Sequence, residues 1–175
     1  AAAAAPDTKV AVADNFRYTR GNYEQHRFSA RIYESLREAL EVSLTAPPPN
    51  ISRDQEPLAW AAAQNNLGNI LAALGQQRRD AELFERAIQC FSNALEEFSQ
   101  ENSPLEWAAT QYNLGTANQA LGRMLDDTKP LKIAVDAYTN ALLVWTRDES
   151  PEDWMFTMHQ LGDTFHAYGK LLKGN

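Results

Sequence analysis

PLAWAAAQNNLGNILAALGQQRRDAELFERAIQCFSNALEEFSQENS, residues 57 to 103, decides the fold, because the chain then repeats it. A shift of 47 residues, from Pro57 to Pro104, lays Trp60, Gln64, Asn66, Leu67, Gly68, Gly75, Asp80, Ala87, Asn93, Ala94 and Ser103 on identical residues. A second shift of the same length meets Pro151, Trp154, Leu161, Gly162 and Gly169. Self-similarity at a fixed period of this size marks stacked units, each burying its apolar face only against its neighbours.

Each unit reads as two helices. Trp60, Leu67, Ile70, Leu71 and Leu74 recur at helical spacing, which predicts a first helix from Pro57 to Leu74 with Gly75 as its stop. Leu83, Phe84, Ala87, Ile88, Phe91, Ala94 and Phe98 form the stripe of a second helix from Asp80 to Phe98, joined to the first through Gln76 to Arg79. Ser103-Pro-Leu-Glu106 and Ser150-Pro-Glu-Asp153 carry capping chemistry: a hydroxyl, a proline where no amide hydrogen is needed, and a carboxylate three residues on. Gly68, Gly115, Ala87 and Ala94 are small enough for close helix approach. Trp60, Trp107 and Trp154 share the stripe of Leu67, Leu114 and Leu161 and read as core, as does Trp145 in the place of Phe98.

These residues resemble the tetratricopeptide repeat, whose pattern is W-x2-L-G-x2-Y in the first helix and A-x3-F in the second. Leu67-Gly68 with Leu71, Leu114-Gly115, and Leu161-Gly162 with Phe165 match the first part. Ala87-x3-Phe91 and Ala134-x3-Tyr138 match the second. Gln64, Gln111 and Met158 stand where the family has tryptophan, and Asn118 replaces an aromatic. The longer period is similar to that of kinesin light chain arrays. The resemblance implies an all-α, right-handed solenoid of antiparallel helix hairpins, whose first helices line a concave groove that holds a segment of another protein. Carried across, that lining is Asn65, Asn66 and Asn69, then Tyr112, Asn113, Thr116 and Gln119, then Phe156, His159, Asp163 and His166. Asn66 and Asn113 can each donate and accept hydrogen bonds to an extended peptide backbone; alternatively these amides only tie neighbouring helices. The lysines that some such arrays use to clamp a terminal carboxylate are missing.

Outside the two full units the chain divides further. Residues 1–22 form an amino-terminal arm that starts with polyalanine and no methionine, in keeping with a processed export signal, an added tract or unassigned residues. Residues 23–44 read as the second helix of a degenerate leading repeat, with Ile32, Leu36 and Ala39 in the places of Ala87, Phe91 and Ala94. Residues 45–56 make a proline-rich linker. Residues 151–175 read as a capping helix whose apolar stripe of Trp154, Met155, Met158, Leu161, Phe165, Tyr168, Leu171 and Leu172 docks on the preceding hairpin and leaves a polar outer face.

Composition narrows the function classes. The net charge of −7 disfavours phosphate-backbone binding, and no apolar run reaches membrane-spanning length. Cys90, the only cysteine, sits on an apolar stripe and reads as a small core residue. No phosphate loop, paired-cysteine motif or nucleophile pattern is present. His159, Asp163 and His166 share a helix face and include metal-ligating types, but two turns, about 10 Å, separate the histidines. The sequence therefore implies a non-enzymatic interaction module, a scaffold or adaptor without cofactor. The alternative is a structural subunit of a larger assembly. Truncating a fully buried tryptophan costs about 3–5 kcal/mol, and Trp107→Ala is expected to approach that loss in a denaturant titration.

Overall fold

The computed structural model describes residues 52–174. The expected arm, leading repeat and most of the proline-rich linker lie outside the described residues. Within them the chain forms α1 (Pro57–Arg78), α2 (Ala81–Ala94), α3 (Pro104–Leu125), α4 (Thr128–Ala141) and α5 (Pro151–Gly174), with no strand among the described residues. Each helix packs on the next in sequence, and α3 also touches both α1 and α5.

Local chemistry accounts for most of the helix ends. Pro57 and Pro104 open α1 and α3 in the first turn, where a proline removes no helical hydrogen bond. Ser103 occupies the cap position as expected, but its hydroxyl donates to Asn102 Oδ1 at 2.6 Å and makes no cap bond. The working side-chain caps are the repeated aspartates. Asp80 accepts from the Glu82 amide at 3.0 Å, and Asp127 from the Lys129 amide at 2.9 Å. Pro130 lies within the first turn of α4.

Gly75 is not the stop that the spacing predicts. Helix α1 continues to Arg78, and the reversal falls on Arg79 at φ 53°; Asp126, at φ 51°, does the same after α3. Asp80 and Asp127 then donate their amides back to the carbonyls of Gly75 and Gly122, both at 3.0 Å, which closes each helix end. The glycine is needed earlier, for packing. A Cβ on Gly75 would lie 3.1 Å from Phe84, and one on Gly122 2.7 Å from Leu131. The same relation holds one heptad before. A Cβ on Gly68 would lie 2.5 Å from the Phe91 ring, and one on Gly115 2.8 Å from the Tyr138 ring.

The main core gathers Leu71, Leu83, Phe84, Ala87, Cys90, Phe91, Ala117 and Leu121 from α1, α2 and α3. Two smaller clusters repeat one plan, Ala61 with Ala94 and Phe98, then Ala108 with Ala141 and Trp145. Trp145 is buried, as its replacement of Phe98 implies, and its indole nitrogen has no hydrogen-bond partner among the described residues. Trp60, Trp107 and Trp154 are only half-buried, which corrects their reading as full core residues. They lie at the edge of the packing. Arginines cover two of them: Arg53 lies 4.8 Å from the Trp60 ring centre and Arg147 5.8 Å from that of Trp154. Trp107 leans on both small clusters, so Trp107→Ala should cost about 3 kcal/mol, the lower end of the range for aromatic truncation.

Helix α5 docks by one edge of the stripe its sequence suggests, with Trp154, Leu161, Tyr168 and Leu171 half-buried. Its fully buried side chains are Thr157 and Thr164, whose hydroxyls donate to the carbonyls four residues back, both at 2.7 Å. Thr110 of α3, one repeat before Thr157, is buried and bonded in the same way. The other edge of the stripe, Met155, Met158, Phe165 and Leu172, is exposed, beside exposed His159, Asp163 and His166. A Cβ on Gly162 or Gly169 would meet nothing within 4 Å.

This contrast makes matched glycine substitutions informative. Gly68→Ala gains about 1 kcal/mol of helix propensity but drives a methyl into the buried Phe91 ring, so a net loss of about 1–2 kcal/mol is expected. Gly162→Ala has the same propensity gain with open space around it and should stabilise by about 0.5–1 kcal/mol. Urea titration of both variants at low protein concentration checks the pair.

Candidate functional site

Helix α3 lies between α1 and α5, and hydrogen bonds join the three long helices. The Asn113 amide donates to Asn65 Oδ1 at 3.2 Å, linking α3 to α1. The Gln119 amide donates to Thr164 Oγ1 at 2.8 Å and to the Gln160 carbonyl at 3.3 Å, linking α3 to α5. Arg123 donates to the Asp163 carbonyl at 3.2 Å. The face expected to form a groove therefore rests on side chains that are partly consumed in holding it together.

The expected lining residues separate into two groups. Asn65 and Gln119 are buried, 2% and 6% exposed, and belong to helix interfaces; for them and for Asn113, the tie between helices is what the geometry displays. Tyr112 is half-buried, with ring centres 5.6 Å from Tyr138 and 5.7 Å from Trp145. Thr116 donates to the Tyr112 carbonyl and accepts from the Tyr138 hydroxyl at 3.2 Å. Asn66 and Asn69 are half-buried on α1. Only the α5 members, Phe156, His159, Asp163 and His166, are exposed. His159 Nδ1 lies 3.9 Å from Asp163 Oδ2, an ion pair when the imidazole is protonated. No group of three His, Cys, Asp or Glu residues among those described is placed to hold a metal ion.

Sequence reading missed the connectors. The repeated Gln64 and Asn93 bond each other at 3.2 Å across α1 and α2, and Gln111 and Asn140 do so at 3.5 Å across α3 and α4. Their identity in both copies was the available signal. Arg53 was also passed over. It bonds Glu97 at 2.6 Å and Glu96 at 2.7 Å, and those bonds raise its pKa from the ordinary arginine value. Cys90 sits in the core as expected, where burial pushes its thiol up against the opposing pull of Arg86.

No family model, curated protein or solved structure matches the chain. The division between tie and lining can be measured on the chain itself. Gln119→Ala removes the partner of Thr164 inside a buried contact and should lower stability by about 1–3 kcal/mol. His159→Ala, at an exposed position, should leave the unfolding midpoint within about 0.5 kcal/mol of the parent.

Proposed function

We propose that the chain is a tetratricopeptide-like α-solenoid that binds a segment of another protein along the layer of α1, α3 and α5, without catalysis or cofactor. The observation that carries this reading is the row of Phe156, His159, Asp163 and His166, all exposed on one strip of α5. One repeat earlier the same strip holds Ala109, Tyr112, Thr116 and Gln119, and two repeats earlier Ala62, Asn65, Asn69 and Ala72. Core positions such as Leu67 with Leu114 and Ala94 with Ala141 keep their residue types between units, whereas most of this strip changes, Ala62 with Ala109 excepted, as a surface facing a non-repeating ligand would. The open end on α5 offers an aromatic edge, two imidazoles and a carboxylate, a mixture suited to a polar peptide with an apolar anchor. No helix among the described residues is long and apolar enough to cross a membrane. A structural-subunit reading draws support from another feature, the exposed apolar residues on the neighbouring face of α5.

The packed state of Tyr112 and Asn113 makes them poor test positions, since their truncation also loosens the helix layer. His159→Ala combined with His166→Ala, at two exposed positions, is the suitable change. With a partner recovered by affinity capture on the full chain, titration should show binding weakened at least tenfold, about 1.4 kcal/mol, at an unchanged unfolding midpoint. Unchanged affinity would remove the α5 strip from the site.

A further inference from the structure

Helix α5 carries a seam that neither α3 nor α4 covers. Met155, Met158, Gly162, Phe165, Gly169 and Leu172 follow one another at steps of three and four residues, the spacing of a coiled-coil seam. Met155, Phe165 and Leu172 are 54%, 54% and 57% exposed, and both glycines face open space. The equivalent seams of α1 and α3 are where α2 and α4 pack, with the rings of Phe91 and Tyr138 seated on Gly68 and Gly115. The third seam departs from that plan. Buried Ala61 and Ala108 give way to Met155, Gln64 and Gln111 to Met158, and Leu71 and Asn118 to Phe165. The seam keeps both glycines of the plan but carries larger apolar side chains around them, and no described helix occupies it.

We infer that the occupant is the α5 seam of a second copy, paired antiparallel about a two-fold axis. Antiparallel seams oppose residues whose numbers have a constant sum, and one register serves every position. It sets Gly162 against the partner's Phe165, Met158 against the partner's Gly169, and Met155 against the partner's Leu172. Each glycine thus receives a large side chain, and each apolar residue an apolar neighbour, as a self-complementary two-fold interface requires. Charge agrees with the direction. The first turn of α5 is acidic, with Glu152 and Asp153, and its last turns carry Lys170 and Lys173. Antiparallel pairing brings the acidic end of one helix beside the basic end of the other, whereas parallel pairing would align like charges. His159 and His166, four residues after Met155 and Gly162, flank this seam, while Phe156 and Asp163 lie farther round the helix, so the proposed peptide strip borders the seam without sharing its residues.

Sedimentation equilibrium of the full chain tests the pairing. A single helix seam is a small interface, so reversible monomer–dimer behaviour is expected between about 1 and 100 µM. Phe165→Glu changes an exposed side chain and should leave helicity and unfolding unchanged at dilution, while dimerisation weakens by at least tenfold. Gly162→Leu should also abolish dimerisation by filling the hole, without lowering the monomer's unfolding midpoint. Glu152→Lys should weaken the dimer about threefold, and adding Lys173→Glu to the same chain should restore it. A chain that stays monomeric across the range, or a dimer indifferent to Phe165→Glu, overturns the proposal. Failure of the charge exchange to restore pairing overturns the antiparallel register.

Discussion

An aromatic ring lying on a glycine backbone is the contact on which the rest of this structure depends. Phe91 on Gly68 and Tyr138 on Gly115 hold the first and second helices of each unit so close that no Cβ fits between them. The alanines in line with these rings, Ala87 and Ala94, then Ala134 and Ala141, are fully buried at the same approach. Dispersion is strongest where so many atoms meet at van der Waals distance. Once that distance is set, Phe84 and Leu131 can reach Gly75 and Gly122 one heptad on, and the chain reverses at a residue other than glycine.

The two rings differ by one hydroxyl, and that difference runs through the interface to the next unit. Phe91 lies in an apolar cluster that includes Ala72 and Ala117. Around Tyr138 the same places hold Gln119 and Thr164. The Tyr138 hydroxyl donates to Thr116 at 3.2 Å and to Gln119 at 3.4 Å, and Gln119 passes on to Thr164 and the Gln160 carbonyl. A hydroxyl introduced into a buried site requires partners, and the chain supplies them at matching repeat positions. The same backbone plan thus seats an apolar ring in one unit and a hydrogen-bonded ring in the next.

The repeat is least constrained by its own packing on α5. On α1 and α3 the equivalents of Phe156 and His159 are half-buried or buried, and two of the amides there serve as ties. On α5 the strip is exposed, and so is the apolar seam beside it, so one helix carries a polar and an apolar surface side by side.

Repetition in the sequence was enough to determine the helices, their pairing and the small residues at their crossings, because a fixed period fixes which residues recur on each face. The caps were half legible: Asp80 and Asp127 recur, but Ser103 turned its hydroxyl to Asn102. Which edge of the α5 stripe docks was not legible. Periodicity shows that Met155, Met158, Phe165 and Leu172 form a stripe, yet a stripe does not say which neighbour meets it. Thr157 and Thr164 look like surface residues by composition, and they can be buried only because a helix offers each hydroxyl the carbonyl four residues back. Asn65 and Gln119 likewise appeared as lining, since an amide's capacity to bond a ligand is the same capacity that bonds a neighbouring helix. Only the tertiary structure decides between them, by bringing Asn113 and Thr164 within reach.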